Sequence, residues 1–138
     1  MTRKVGPQSQ TITVPANTSE NSPVEATFEI GKSILTKVSI HFPDGCIGLV
    51  KCAIFYGEEQ ILPTEAGQYF NGNAETVEMS CYIPLPDDPT TLTVKAWSPG
   101  TSYDHNIIVR LETQPEFVAG VGGIIHKFVE AFRRLIGL

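Results

Sequence analysis

The chain has 138 residues, of which 41% are hydrophobic and 18% charged, with a formal net charge of −5. That length suits one domain, which buries roughly 68% of its extended-chain surface and so can hold itself together with an ordinary apolar core. The acidic balance argues against general nucleic-acid binding.

Residues 1–9 contain Gly6-Pro7 and no apolar run, which predicts a flexible N-terminal arm without a classical secretion signal. No stretch reaches the roughly 18 apolar residues of a membrane span. Thr11–Val14 is the first predicted strand. Val24, Ala26, Phe28 and Ile30 alternate with polar residues, the period-2 pattern of a half-buried strand. Gly31-Lys32 predicts a tight turn. The next run places Ile34, Thr36, Val38, Ile40 and Phe42 on one face, and Lys37, Ser39 and His41 on the other.

Pro43-Asp44-Gly45 is a turn signal. A long strand is then expected from Cys46 to Tyr56, a short one over Gln60–Leu62, and a Gly/Asn-rich loop over 64–74. Val77, Met79, Cys81 and Ile83 alternate with Glu78, Ser80 and Tyr82. The Pro84–Pro89 loop precedes a strand marked by Leu92, Val94 and Ala96 and ending at Trp97. Ile107, Val109 and Leu111 mark the last strand. The expected fold is therefore all-β: an antiparallel sandwich of about eight strands over residues 10–114, jelly-roll or immunoglobulin-like in topology.

After Gln114-Pro115-Glu116 the period changes. Phe117, Val121, Ile124, Ile125, Phe128, Val129, Phe132, Leu135 and Ile136 recur at helical spacing, while Lys127, Glu130, Arg133 and Arg134 gather opposite them. Glu130 and Arg134 form a favourable i,i+4 pair. Gly120, Gly122 and Gly123 weaken the first turns. Residues 115–138 are predicted to form one glycine-jointed amphipathic C-terminal helix. Burying each large apolar residue of that stripe is worth about 1.5–3 kcal/mol. The stripe therefore needs a cover: the sandwich itself, helices of other copies, a partner groove or a lipid surface.

Chemistry is thinly signalled. No nucleophile elbow, zinc spacing or phosphate-cradling glycine motif is present, and no cofactor is expected. His41, His105 and His126 read as surface or packing residues. Asp87-Asp88 and Asp104-His105 would need to converge to hold a cation, and no dense acidic loop supplies calcium's oxygens. Cys46, Cys52 and Cys81 read as free thiols: the count is odd, and six residues of strand separate the first two by about 20 Å. Asn17-Thr18-Ser19 matches a glycosylation acceptor, which carries little weight without a secretion signal. Tyr56, Tyr69, Phe70, Tyr82, Trp97 and Tyr103 raise a carbohydrate-binding alternative, although Trp97 ends a core-like strand.

Three segments carry a resemblance. Phe42-Pro-Asp-Gly-Cys-Ile-Gly-Leu-Val50, Gly57-Glu-Glu-Gln-Ile-Leu-Pro63 and Gly72-Asn-Ala-Glu-Thr-Val77 together resemble small β-sandwich virion proteins of tailed phages, archaeal viruses and prophages. The resemblance spans residues 34–83 and rests on turns and strands. It implies a non-enzymatic decoration, capsid-associated or adaptor protein of the virion, made in the host cytoplasm. Its implied partners are further copies of itself, the major capsid protein or another virion component. A carbohydrate- or receptor-binding module and a membrane-surface protein anchored by the helix stand as alternatives.

Overall fold

The computed structural model describes residues 5–115. These residues form nine strands: β1 (Gln8–Val14), β2 (Val24–Ile30), β3 (Ser33–Phe42), β4 (Lys51–Tyr56), β5 (Glu59–Leu62), β6 (Phe70–Asn71), β7 (Glu75–Leu85), β8 (Thr90–Trp97) and β9 (His105–Pro115). One sheet has the order β1-β9-β3-β7. The other has the order β2-β8-β4-β5, with the two-residue β6 also paired to β4. Every pairing is antiparallel. With β6 set aside, eight strands alternate between the sheets except at the β4–β5 hairpin. Strands distant in sequence lie side by side, as β1 does with β9. This is the jelly-roll order, and it separates the two topologies that strand count left open.

The core lies between the sheets, where the alternation predicts it. Phe28, Val38, Ile40, Phe42, Ile54, Leu92, Val94, Ile107, Val109 and Leu111 are buried there. β3 departs from simple alternation. Its register slips between Leu35 and Lys37 against both neighbours. Leu35 therefore enters the core, Ile34 falls outside it, and Thr36 is half-buried, contrary to the face expected from sequence. A bulge reverses parity in this way. The Thr36 hydroxyl donates to the Glu112 carbonyl (3.1 Å), and the Cys81 thiol, opposite the bulge, donates to the Leu35 carbonyl (3.5 Å).

Two further expectations change. The strand expected from Cys46 starts only at Lys51: residues 46–49 close a turn through the Leu49 N–H and the Cys46 carbonyl (2.8 Å). The 64–74 loop contains β6, whose two residues are too few to leave a periodic signal.

Among the described residues all three cysteines are free, with Cys46 and Cys52 buried. Burial pushes the Cys52 thiol far above its ordinary value of 9.0, because the thiolate would lose its hydration. The folded state then keeps a proton that the unfolded chain releases. This stabilisation is complete below pH 9 and is lost as pH rises beyond it, by at most about 1.4 kcal/mol per pH unit for one group. Urea unfolding at pH 8 and pH 10.5 is expected to show this decline, and Cys52→Ala to shrink it. An equal decline in the variant would assign the effect to other groups.

Candidate functional site

Chain direction gives the sandwich two unlike ends. β1, β3 and β6 finish, and β2, β4, β7 and β9 begin, at one end. There the connections 15–23, 43–50, 72–74 and 98–104 gather, and this is called the loop end. The opposite end holds the short turns 31–32 and 57–58 and the 86–89 loop. It also holds the start of β1 and the end of β9.

At that terminal end the two exits are tied together. Thr113 is buried, accepts the Gly6 N–H at 2.8 Å and donates back to the Gly6 carbonyl at 3.2 Å. The described chain thus begins and ends at the same end of the sandwich. Phe117, Val121, Ile124, Ile125, Phe128, Val129, Phe132, Leu135 and Ile136, the contact residues expected from sequence, lie outside the described residues.

The outer sheet faces carry rows of polar side chains. On the β1-β9-β3-β7 sheet, the row Ser9–Arg110–Ser39–Glu78 runs across all four strands, and Lys37 lies 3.5 Å from Glu78. Lys37, Ser39, Thr76, Glu78, Arg110 and Glu112 line one shallow groove there. His41 bonds to the Thr76 hydroxyl at 3.0 Å on the same face. On the other sheet Lys95 pairs with Glu25 (3.7 Å) and lies 4.6 Å over the Phe55 ring, while the Thr91 hydroxyl donates to Glu29 (2.8 Å). Exposed ion pairs of this kind add at most about 1 kcal/mol each, so these faces are made for water rather than for stability.

The loop end is stitched by side chains that sequence reading passed over. The Asn73 side-chain Oδ1 accepts both the Gly45 and the Ile47 N–H at 2.9 Å. The Gly48 N–H donates to Gly72 O and the Ala74 N–H to Pro43 O, at 3.2 and 3.3 Å. A second stitch joins 15–18 to 98–104. The Ser98 hydroxyl donates to Pro15 O (2.8 Å), the Asn17 N–H to the Thr101 hydroxyl (2.9 Å) and the Gly100 N–H to the Asn17 side-chain oxygen (2.8 Å). The acceptor-motif asparagine, Asn17, is thus committed to this loop contact. Gly45 sits at φ 97°, a region open to glycine. Ile47 sits at φ 43°, an outlier for a β-branched residue, yet 68% of it is exposed.

The aromatics chosen from sequence do not form one groove. Phe70 and Trp97 are buried, Tyr56 and Tyr69 are half-buried, and Tyr82 and Tyr103 are exposed at different places. Trp97 is 4% exposed, with the Tyr69 ring edge-on at 4.7 Å. Asp87 and Asp104 lie at opposite ends. Asp87 accepts from the Tyr56 hydroxyl, and Asp104 accepts the Ala16 N–H (2.8 Å). Among the described residues no group of three or more His, Cys, Asp or Glu is placed to hold a metal ion.

The chain matches no protein-family model and no curated protein. Solved structures share its fold. A chain of the cyanophage Pam1 capsid asymmetric unit is 14% identical, with 81% of this chain and 84% of that one covered, at TM-score 0.51. The C-terminal domain of EclA, a sugar-binding protein, is 14% identical over 74% of this chain and 78% of its own (TM-score 0.45). A chain of the disulfide-linked pili of Bacillus endospore appendages is 10% identical over 83% and 92% (TM-score 0.41). At 14% identity the likeness to the capsid chain is one of fold.

Proposed function

We propose that this chain is a non-enzymatic structural protein of a virion: a capsid-associated, decoration or adaptor component. It attaches through residues 116–138, assisted by the N-terminal arm, and holds the stitched loop end outward. One observation carries the reading. The described chain begins and ends at one end of the sandwich, opposite its rigid loops. A chain that anchors at one end and displays at the other has this polarity.

Two arguments support it. The stripe from Phe117 to Ile136 needs an apolar cover, and the outer sheet faces offer it few open apolar patches: ion pairs and hydroxyls run across them, and Trp97 is already covered by Tyr69. Covering these faces with Phe and Ile would strip water from Lys, Arg and Glu without replacing it. In this reading the cover is a second copy or another virion protein. The fold shared with a capsid chain and the segments within 34–83 point the same way. Nothing in this role uses a cofactor or nucleic acid.

Particles purified on a density gradient from cells carrying the gene provide the test. The full-length chain should band with filled particles at a fixed ratio to their capsid protein, and a version ending at Pro115 should not. A full-length chain absent from particles would overturn the proposal.

A further inference from the structure

At the loop end, opposite the Gly6–Thr113 tie, a small recess opens between the 43–49 and 98–105 loops. Gly45, Ile47, Leu49, Thr101, Tyr103 and His105 contribute to its walls, and it encloses about 120 Å³. Four properties define what it accepts. Its lining carries no charged side chain, so an ionic ligand meets no counter-charge. Tyr103 is 75% exposed and Ile47 68%, so the rim offers an aromatic face and an aliphatic edge to water. His105 is 7% exposed; its Nδ1 is buried without a hydrogen-bond partner among the described residues, and its Nε2 lies on the Gly45 side, 3.5 Å from where a Cβ on Gly45 would stand. The walls are preset: Asn73 fixes the Gly45 and Ile47 amides, and Ile47 is held in a conformation that a branched side chain avoids.

We propose that this recess binds one neutral glycosyl unit, with a C–H face of the pyranose on the Tyr103 ring and its hydroxyls turned toward Ser102 and the His105 imidazole. The pairing follows from the chemistry of the walls. A wholly apolar occupant would leave the His105 Nε2 and the Ser102 and Tyr103 hydroxyls unmatched, and an anion or cation would be desolvated without compensation. The recess is open and takes part of one ring, so affinity for a single sugar is millimolar and useful binding comes from many copies on one assembly. The aromatic pair Tyr69–Trp97, the other platform suggested by sequence, is closed upon itself and takes no part.

Saturation-transfer NMR on the full-length protein tests this with methyl glycosides of glucose, galactose, mannose and N-acetylglucosamine, and with N-acetylneuraminic acid as the charged comparison. At least one neutral glycoside should receive saturation. Tyr103→Ala should weaken that signal about tenfold or more, and Tyr82→Ala, which removes an exposed tyrosine elsewhere, should leave it unchanged. No transfer to any neutral glycoside, equal transfer in Tyr103→Ala, or a preference for the charged sugar would each overturn the proposal. The recess lies at the end opposite the termini, so none of these outcomes depends on how the chain assembles.

Discussion

A chain ending at Pro115 is expected to be a folded monomer, and under the proposed role the full-length chain is expected to assemble. The described residues already form a closed unit: two sheets, a continuous core from Val14 to Leu111, and a Thr113–Gly6 tie across the terminal end. Each of these elements lies within the described residues. Removing the segment should therefore shift the thermal midpoint by only a few degrees, about the change that 1 kcal/mol produces in a domain of this size. Its effect on association should be near total. Several large apolar side chains at about 1.5–3 kcal/mol each make up most of what a small interface can supply. Phe128→Glu is the companion variant, since one buried charge without a partner should dissociate the assembly while leaving the sandwich intact. Light scattering on all three proteins reads the outcome. A full-length monomer would remove self-association, and a truncated chain that unfolds would place the segment in the core instead.

The second large effect concerns Trp97. It follows Ala96 in β8, and alternation turns it away from the core, onto the outer side of its sheet. An exposed tryptophan there would be a binding platform. Instead it is 4% exposed beneath Tyr69, at an interplanar angle of 83°. The Gln60 amide organises the covering loop, donating to the Pro63 and Gln68 carbonyls at 2.8 and 2.9 Å. Burial first, and then the hydrogen bond with Glu20, raise the Tyr69 hydroxyl above its ordinary value. Trp97→Ala should therefore cost about 3–5 kcal/mol in urea unfolding, as large-to-small changes at buried aromatics do. Tyr69→Ala combined with it should fall short of additivity by about 0.5–1.5 kcal/mol, the worth of an aromatic pair beyond its buried area. Glycoside binding should survive both changes. A loss below about 1 kcal/mol would mean that the ring is solvated and free to bind.

The limits of sequence reading follow from what each signal encodes. β2 and β7 alternate cleanly because each is an edge strand with one face toward the core, and both were legible. The Pro43-Asp44-Gly45 turn was legible because its residues are chosen by backbone geometry. The bulge at Thr36 was not, since threonine fits either parity and the slip is set by β7 and β9, far away in sequence. Cys46–Val50 reads as strand from its apolar content, yet Asn73 holds part of it in a turn. Jelly-roll order depends on pairings such as Gln8 with Leu111, which no local pattern records. The recess was half visible: Tyr103 stood out as a loop aromatic, but Ile47 and His105 join it only through the fold. The helical stripe remains a reading of periodicity, and what the fold contributes is its point of attachment.

Electron cryomicroscopy of the full-length assembly tests the central claim most directly, because it reads the orientation of the sandwich. The account predicts residues 117–136 within the contact between subunits or with the particle, the Gly6–Thr113 end facing that contact, and Ile47 and Tyr103 on the solvent side. An assembly held together through Ile47 and Tyr103, with the C-terminal segment outside every contact, would contradict it.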